Sequence, residues 1–459
     1  MQFTKHTLKN GTRLITAHNP NTRTFTVLVL FKVGSRYENK NINGISHYIE
    51  HLMFKGTTKR PNTLSISKEL DAFGAEYNAF TGKDYTGYYV KINSEKKEQA
   101  MDVLSDMIHN SKFDAKEINR ERNVIIEEIH MYRDNPLMHI EDLIEEEMFR
   151  GDPLGWSIAG DEASMAKITR ENIVDFFGKH YVPKNTVIIL SGNLEDGETV
   201  NPVREQLQQK YLDGNNKPIH KSSSLQPPTE SAIFSNGVKL AEKYFNQNKA
   251  KDVATHFKKF GGTFKPVVKV EYKDTGQYQL AIAFPGLRYR DPDMPACNLL
   301  ANILGGTMSS RLFIKVRERK GLAYLVRAEL SPYQDTGAFV IRAGLNKGNL
   351  KLAIKTILAE LKDIKTKGVG EKELSRAKEN IKGHMILGME DSSDVANWYG
   401  KQEILTNEIW TLDEHIAKME RVKSEDIKRL ANKIFDLKKV SVACIGPLKD
   451  ADEIKKLLK

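Results

Sequence analysis

Gly44-Ile45-Ser46-His47-Tyr48-Ile49-Glu50-His51-Leu52-Met53-Phe54-Lys55-Gly56-Thr57 sets two histidines and a glutamate at HxxEH spacing. Positions four apart share a helix face. On a helix predicted from about 42 to 54, His47 and His51 therefore present their imidazoles to a single ion, with Glu50 beside them on the same turn. The spacing is a metal-hydrolase signature. A bare HxxH pair would be read as chance on a solvated face; the inserted glutamate and a second half of the site far downstream argue against that.

A catalytic zinc site usually takes three protein ligands and leaves a fourth position for water. The helix predicted over Ala115–Tyr132 offers several carboxylates. Glu121 and Glu128 are seven apart and share nearly one face, whereas Glu127 points about 100° away from Glu128. The pair suits a ligand plus a carboxylate that orients a metal-bound histidine. Any one of these glutamates, taken alone, is an ordinary solvated charge.

Working outward, 459 residues are too many for one ordinary core and predict two domains or more. Contents of 40% apolar and 28% charged residues are those of a globular chain. No uncharged apolar run reaches the roughly 18 residues of a membrane span, so no membrane partner is expected. The start reads as a strand entering an Asn10-Gly11 turn, without the apolar core of a signal peptide. The two cysteines, Cys297 and Cys444, make no disulfide framework and fit a reducing, cytoplasmic compartment. Lys and Arg number 70 against 60 Asp and Glu, a net charge of +10. The acids are interleaved with the bases, so these are read as solvated faces; nucleic-acid binding, through the Lys-rich run at 238–269, is the minority reading.

Periodicity predicts an α+β chain built from two copies of one unit. The first copy reads as strands near 3–8, 12–17 and 24–34, the motif helix, a helix near 64–73 and an alternating antiparallel pair at 76–81 and 85–92. Helices near 95–109, 115–132, 138–149 and 170–180 precede a closing strand at 186–191. In the second, strands at 267–272 and 278–284 lead to helices at 293–304 and 309–318 and strands at 322–331 and 336–343. Five helices between 347 and 435 and a strand at 440–445 complete it. The predicted organisation is an N-terminal metal-binding domain (1–214), a linker with a helical insertion (215–265) and a C-terminal homologous domain (266–459), each domain an antiparallel-rich sheet packed with helices. Lys221-Ser222-Ser223-Ser224-Leu225-Gln226-Pro227-Pro228 has linker composition. The partly amphipathic run 238–260 is read as one or two appended helices, with a disordered charged spacer as the alternative. The counterpart of the motif helix, around Pro295–Leu304, has no histidine, so only the first copy can hold the metal.

HxxEH followed 77 residues after His51 by Glu128, within Glu121-Arg122-Asn123-Val124-Ile125-Ile126-Glu127-Glu128-Ile129, closely resembles the pitrilysin and insulin-degrading enzyme family of inverted-motif zinc peptidases. More narrowly, it resembles the short two-domain subfamily that includes the β subunit of mitochondrial processing peptidase and its bacterial relatives. Asn78-Ala79, Leu304-Gly305-Gly306-Thr307-Met308 and Arg317-Glu318-Arg319-Lys320-Gly321-Leu322-Ala323-Tyr324 add to it. The resemblance covers nearly the whole chain.

The resemblance implies one Zn2+ per chain on His47, His51 and Glu128, with Glu50 as general base and Glu121 as supporting carboxylate. It implies that Arg317 and Tyr324 hold the substrate backbone across a chamber. The strand carrying Asn78 and Ala79 would bind substrate by strand addition. It further implies a homodimer whose two chains complete each other's sites, or a heterodimer with a related subunit, and an endopeptidase acting on unfolded peptides or short proteins. The alternative is a non-catalytic assembly subunit of the same fold.

Overall fold

A computed structural model describes residues 2–195, 230–246 and 256–458. The domain boundary at 214 and the linker run 221–228 lie outside the described residues.

The first half contains β1 (Thr4–Thr7), β2 (Arg13–His18), β3 (Thr24–Phe31), α1 (Ile45–Leu52), α2 (Thr63–Asp71), β4 (Glu76–Thr81), β5 (Thr86–Asn93), α3 (Lys97–Asn110), α4 (Ala115–Asp134), α5 (Pro136–Met148), α6 (Glu162–Lys167), α7 (Arg170–His180) and β6 (Thr186–Gly192). Helix α8 (Glu230–Phe245) follows. The second half has β7 (Val267–Tyr272), β8 (Gln277–Pro285), α9 (Met294–Ala301), β9 (Ala323–Pro332), β10 (Gly337–Asn346), α10 (Leu350–Lys367), α11 (Glu371–Gly388), α12 (Ser392–Thr406), α13 (Leu412–Glu420), α14 (Ser424–Ile434), β11 (Ser441–Gly446) and α15 (Asp452–Leu458).

The sheets run β1-β2-β6-β3-β5-β4 and β7-β11-β8-β10-β9. With β1 set aside the two orders match strand for strand, including the one parallel pair in each, β2 with β6 and β7 with β11. Among the described residues, five helices lie between β5 and β6 and five between β10 and β11. The fold is therefore a duplicated α+β unit.

Several local expectations are corrected. The appended helix is Glu230–Phe245, not 238–260; Leu240, Ala241 and Phe245 pack it into the first core. Residues 256–265 form no helix. Instead, Phe260 and Phe264 lie against Phe149, at ring separations of 5.3 and 5.9 Å. The helices expected at 293–304 and 309–318 become α9 followed by wide π-type turns at Asn302–Gly306 and Phe313–Glu318. The short helices α6 and α15 carry too few turns for a readable periodicity.

The near-continuous apolar runs of the central strands have a direct cause: both sheet faces are buried. In β3, Phe25, Val27, Val29 and Phe31 face the helices of their own half, while Leu28 and Leu30 face the other way. That second face is covered by α12 of the second half, through Val395, Ala396, Tyr399, Ile404 and Leu405. The second sheet mirrors the arrangement, with Ala281, Ala283, Ala443 and Ile445 covered by Ile140, Leu143, Ile144 and Met148 of α5. Each half lends the other a helix. Gly400 permits the approach of α12, since a Cβ there would lie 2.8 Å from both Ile189 and Leu30 side-chain carbons.

Polar contacts reinforce the exchange. The Glu403 carboxylate of α12 is fully buried and pairs with Lys5 at 2.7 Å and Arg13 at 3.1 Å. At the other end Arg36 bonds Asp84 at 2.9 Å and Asp335 at 3.1 Å, joining the β4–β5 and β9–β10 turns. Removing one partner of such a pair strands a buried charge, which costs about 3 kcal/mol. Glu403→Ala is expected to lower unfolding free energy by about that amount in urea denaturation; an unchanged midpoint would show that the pair does not fasten the halves.

Candidate metal centre

Helix α1 is eight residues long and ends before Met53, so its direction is set by what grips it. Gly44 opens it at φ +97°, where a Cβ would lie 2.5 Å from the Ala159 carbonyl oxygen. The buried Glu38 carboxylate accepts the Gly44 N–H at 2.7 Å, the Ser46 N–H at 2.8 Å and the Asn43 amide at 3.0 Å. The two backbone donors are N–H groups that the start of a helix leaves without intrahelical partners. Burial raises Glu38 to about 7 against the pull of these bonds. On the other side, the Tyr48 hydroxyl donates to the Ile118 carbonyl of α4.

Helix α4 is capped by Asp114, whose side chain accepts from the N–H groups of Lys116 and Glu117. Its buried face carries Ile118, Glu121, Ile125 and Ile129, so Glu121 stands in the apolar stripe. Glu127 is exposed, as its angular position requires.

The crossing of α1 and α4 brings His47, His51 and Glu128 together, with one ligand atom from each lying within 4.8 Å of the others. Glu128 Oε2 is 3.4 Å from His51 Nε2 and 3.8 Å from His47 Nε2. Two ligand atoms each about 2.1 Å from a tetrahedral zinc stand about 3.4 Å apart, so the donor set fits that ion in chemistry and in spacing. His51 Nδ1 meets Glu121 Oε1 at 2.8 Å, and Glu121 Oε2 takes the Lys55 ammonium at 2.8 Å. This is the carboxylate–histidine pairing that orients a ligand ring.

Burial and the neighbouring groups also shift the protonation of these side chains. Burial, with the nearby His51, pushes His47 down to about 4, leaving a neutral imidazole. For His51, burial opposes the proton, but hydrogen bonds to Glu121 and Glu128 outweigh it and raise the group to about 9. The His51 bond holds Glu128 below its ordinary value. Burial raises Glu50, opposed by the Thr81 hydroxyl, which donates to Glu50 Oε2 at 2.7 Å.

These groups line a cavity of about 780 Å³ together with Asn78, Ala79, Thr81, Tyr132 and the 155–161 loop around Trp156. Strand β4 forms one rim. It is the last strand of its sheet and pairs only with β5, so its outer edge carries no strand among the described residues. Arg317 and Tyr324 are not brought here: Arg317 follows α9 in the second half, beside Phe313, and Tyr324 lies in β9. Glu38, Lys55, Thr81 and the Trp156 loop escaped sequence reasoning. Thr81 was findable, since strand alternation puts it on the face of Ala79; Glu38 carried no spacing signal.

The family model described as "Insulinase (Peptidase family M16)" matches residues 13–162, and "Peptidase M16 inactive domain" matches 167–238 and 235–381. The uncharacterized zinc protease YmxG of Bacillus subtilis is 33% identical over 96% of this chain and 98% of its own. A probable mitochondrial-processing peptidase subunit β of Arabidopsis thaliana is 28% identical over 98% of this chain and 79% of its own. In fold, a protease from Helicobacter pylori superposes with a TM-score of 0.84 at 24% identity, covering 97% of this chain and 99% of that one. With its HxxEH helix in the first of two duplicated units, the chain belongs to the insulinase family, peptidase family M16, in its short two-domain form.

Proposed function

We propose that the chain is a zinc-dependent endopeptidase that hydrolyses peptide bonds of unfolded peptides or short proteins. The observation that carries this reading is the convergence of His47, His51 and Glu128 beside Glu50, in a cavity rimmed by a free strand edge. His47, His51 and Glu128 would hold the ion. Bound there, zinc supplies a Lewis acid and lowers the pKa of coordinated water from about 15.7 toward 7.

The chain's own residues do the rest. Glu50 stays outside the ligand set and, with its basicity raised by burial, accepts the proton of the attacking water and returns it to the leaving amine. Thr81 holds Glu50 Oε2 in place. Glu121 keeps the His51 ring oriented through Nδ1. An extended peptide adds to the outer edge of β4 at Asn78 and Ala79, which reads backbone more than side chains. Arg317 and Tyr324, remote from this cavity in their own chain, contact the substrate from a second copy, so the active form is a homodimer. A heterodimer with a related subunit meets the same geometric need. Among the described residues no helix is long and apolar enough to cross a membrane.

Metal analysis should find one zinc per chain, and cleavage of a quenched peptide should vanish on chelation and in Glu50→Gln. A zinc-free protein, or equal rates for wild type and Glu50→Gln, would leave a non-catalytic subunit of this fold. Glu121→Gln is expected to weaken zinc binding about 10- to 100-fold in chelator competition. The zinc-loaded protein should run at twice the 52.1 kDa chain mass in light scattering. A fully active monomer would overturn the shared site.

A further inference from the structure

Tyr324 stands at an irregularity in the other edge strand. Gly344 pairs with Leu325 and Leu345 with Ala323, so Tyr324 is the extra residue of a β-bulge in β9. Bulges re-aim a side chain, and here the phenol is laid across the neighbouring strand. A Cβ on Gly344 would lie 2.3 Å from Tyr324 Cζ and 2.6 Å from its Oη, so the ring occupies the space only glycine leaves. One strand further, Gln279 of β8 pairs with Gly344 and reaches over it. Its Nε2 donates to Tyr324 Oη at 2.7 Å.

Gln279 is only 6% exposed, in a strand otherwise apolar from Tyr278 to Phe284. A buried amide without partners is destabilising, and an aliphatic residue would suit this core better. Tyr324, by contrast, is 38% exposed on a strand that pairs only with β10. A cover for Gly344 alone would need no hydrogen bond. Because the amide is the donor, the phenol keeps its own hydrogen for an acceptor outside the sheet.

We propose that Gln279 is a positioning residue: acting across Gly344, it fixes the Tyr324 phenol at the edge of β9 so that its O–H donates to a carbonyl oxygen of a bound peptide. This rests on the peptidase reading. It places the determinant of that donor in β8, two strands away from the edge.

The test is a kinetic cycle on the full-length zinc-loaded protein: wild type, Gln279→Leu, Tyr324→Phe and the double variant, with Glu50→Gln as the blank. Gln279→Leu is expected to lower kcat about tenfold with KM within about twofold, and to change nothing further when combined with Tyr324→Phe. Gln279→Glu, which turns the donor into an acceptor and engages the phenol hydrogen, should be as slow as Gln279→Leu. Gln279→Asn, too short to reach, should be equally slow and keeps the test open if Leu does not fold. The same loss in the Tyr324→Phe background, a loss confined to KM, or a Gln279→Glu protein as fast as wild type would overturn the inference while leaving the peptidase reading intact. A wild type no faster than Glu50→Gln would end both.

Discussion

The structure depends on one constraint: two sheets whose central strands are apolar on both faces, each with one of those faces covered by a helix of the other half. Leu28, Leu30, Val187 and Ile189 in one sheet, and Ala281, Ala283, Ala443 and Ile445 in the other, would be solvated in an isolated half. Exchange of α5 and α12 removes that cost, at roughly 1.5–3 kcal/mol for each large aliphatic side chain buried. The two halves are thereby joined through their interiors. The buried Glu403 and Arg36 clusters then fix the relative register of the parts that apolar contact alone would leave adjustable.

The candidate metal centre is built on the same division of labour. Helix α4 stays with its own sheet and carries Glu121 and Glu128, whereas α5, beginning one residue beyond Asn135, crosses to the other sheet. The cavity therefore opens where the chain leaves one half for the other, with α4, α5, β4 and the Trp156 loop as its walls. Burial that makes this junction stable also tunes its groups: it lowers His47 and raises Glu50, while hydrogen bonds pull Glu121 and Glu128 below their ordinary values.

Much of this was legible in the linear chain because it is periodic. Four-residue spacing put His47 and His51 on one face, and seven-residue spacing aligned Glu121 with Glu128. Alternation located β4 and β5, and the repeated order of strands and helices pointed to duplication. The misplaced elements were those where periodicity is weak: the appended helix, read eight residues too far along the chain at its start, and the π-type turns after α9, where five-residue spacing breaks the helical pattern.

By itself, then, the sequence determined which elements carry the HxxEH residues and the Glu121/Glu128 pair, since helix and strand periods depend only on local backbone geometry. Contacts between distant segments were decided by the tertiary structure alone. Glu38 at the start of α1, Lys55 behind Glu121 and Gln279 reaching Tyr324 over Gly344 follow no spacing rule, and alternation puts Thr81 on the face of Ala79 without saying that it meets Glu50. They exist because packing brings a donor to an acceptor at under 3 Å, and a buried polar group without such a partner is destabilising.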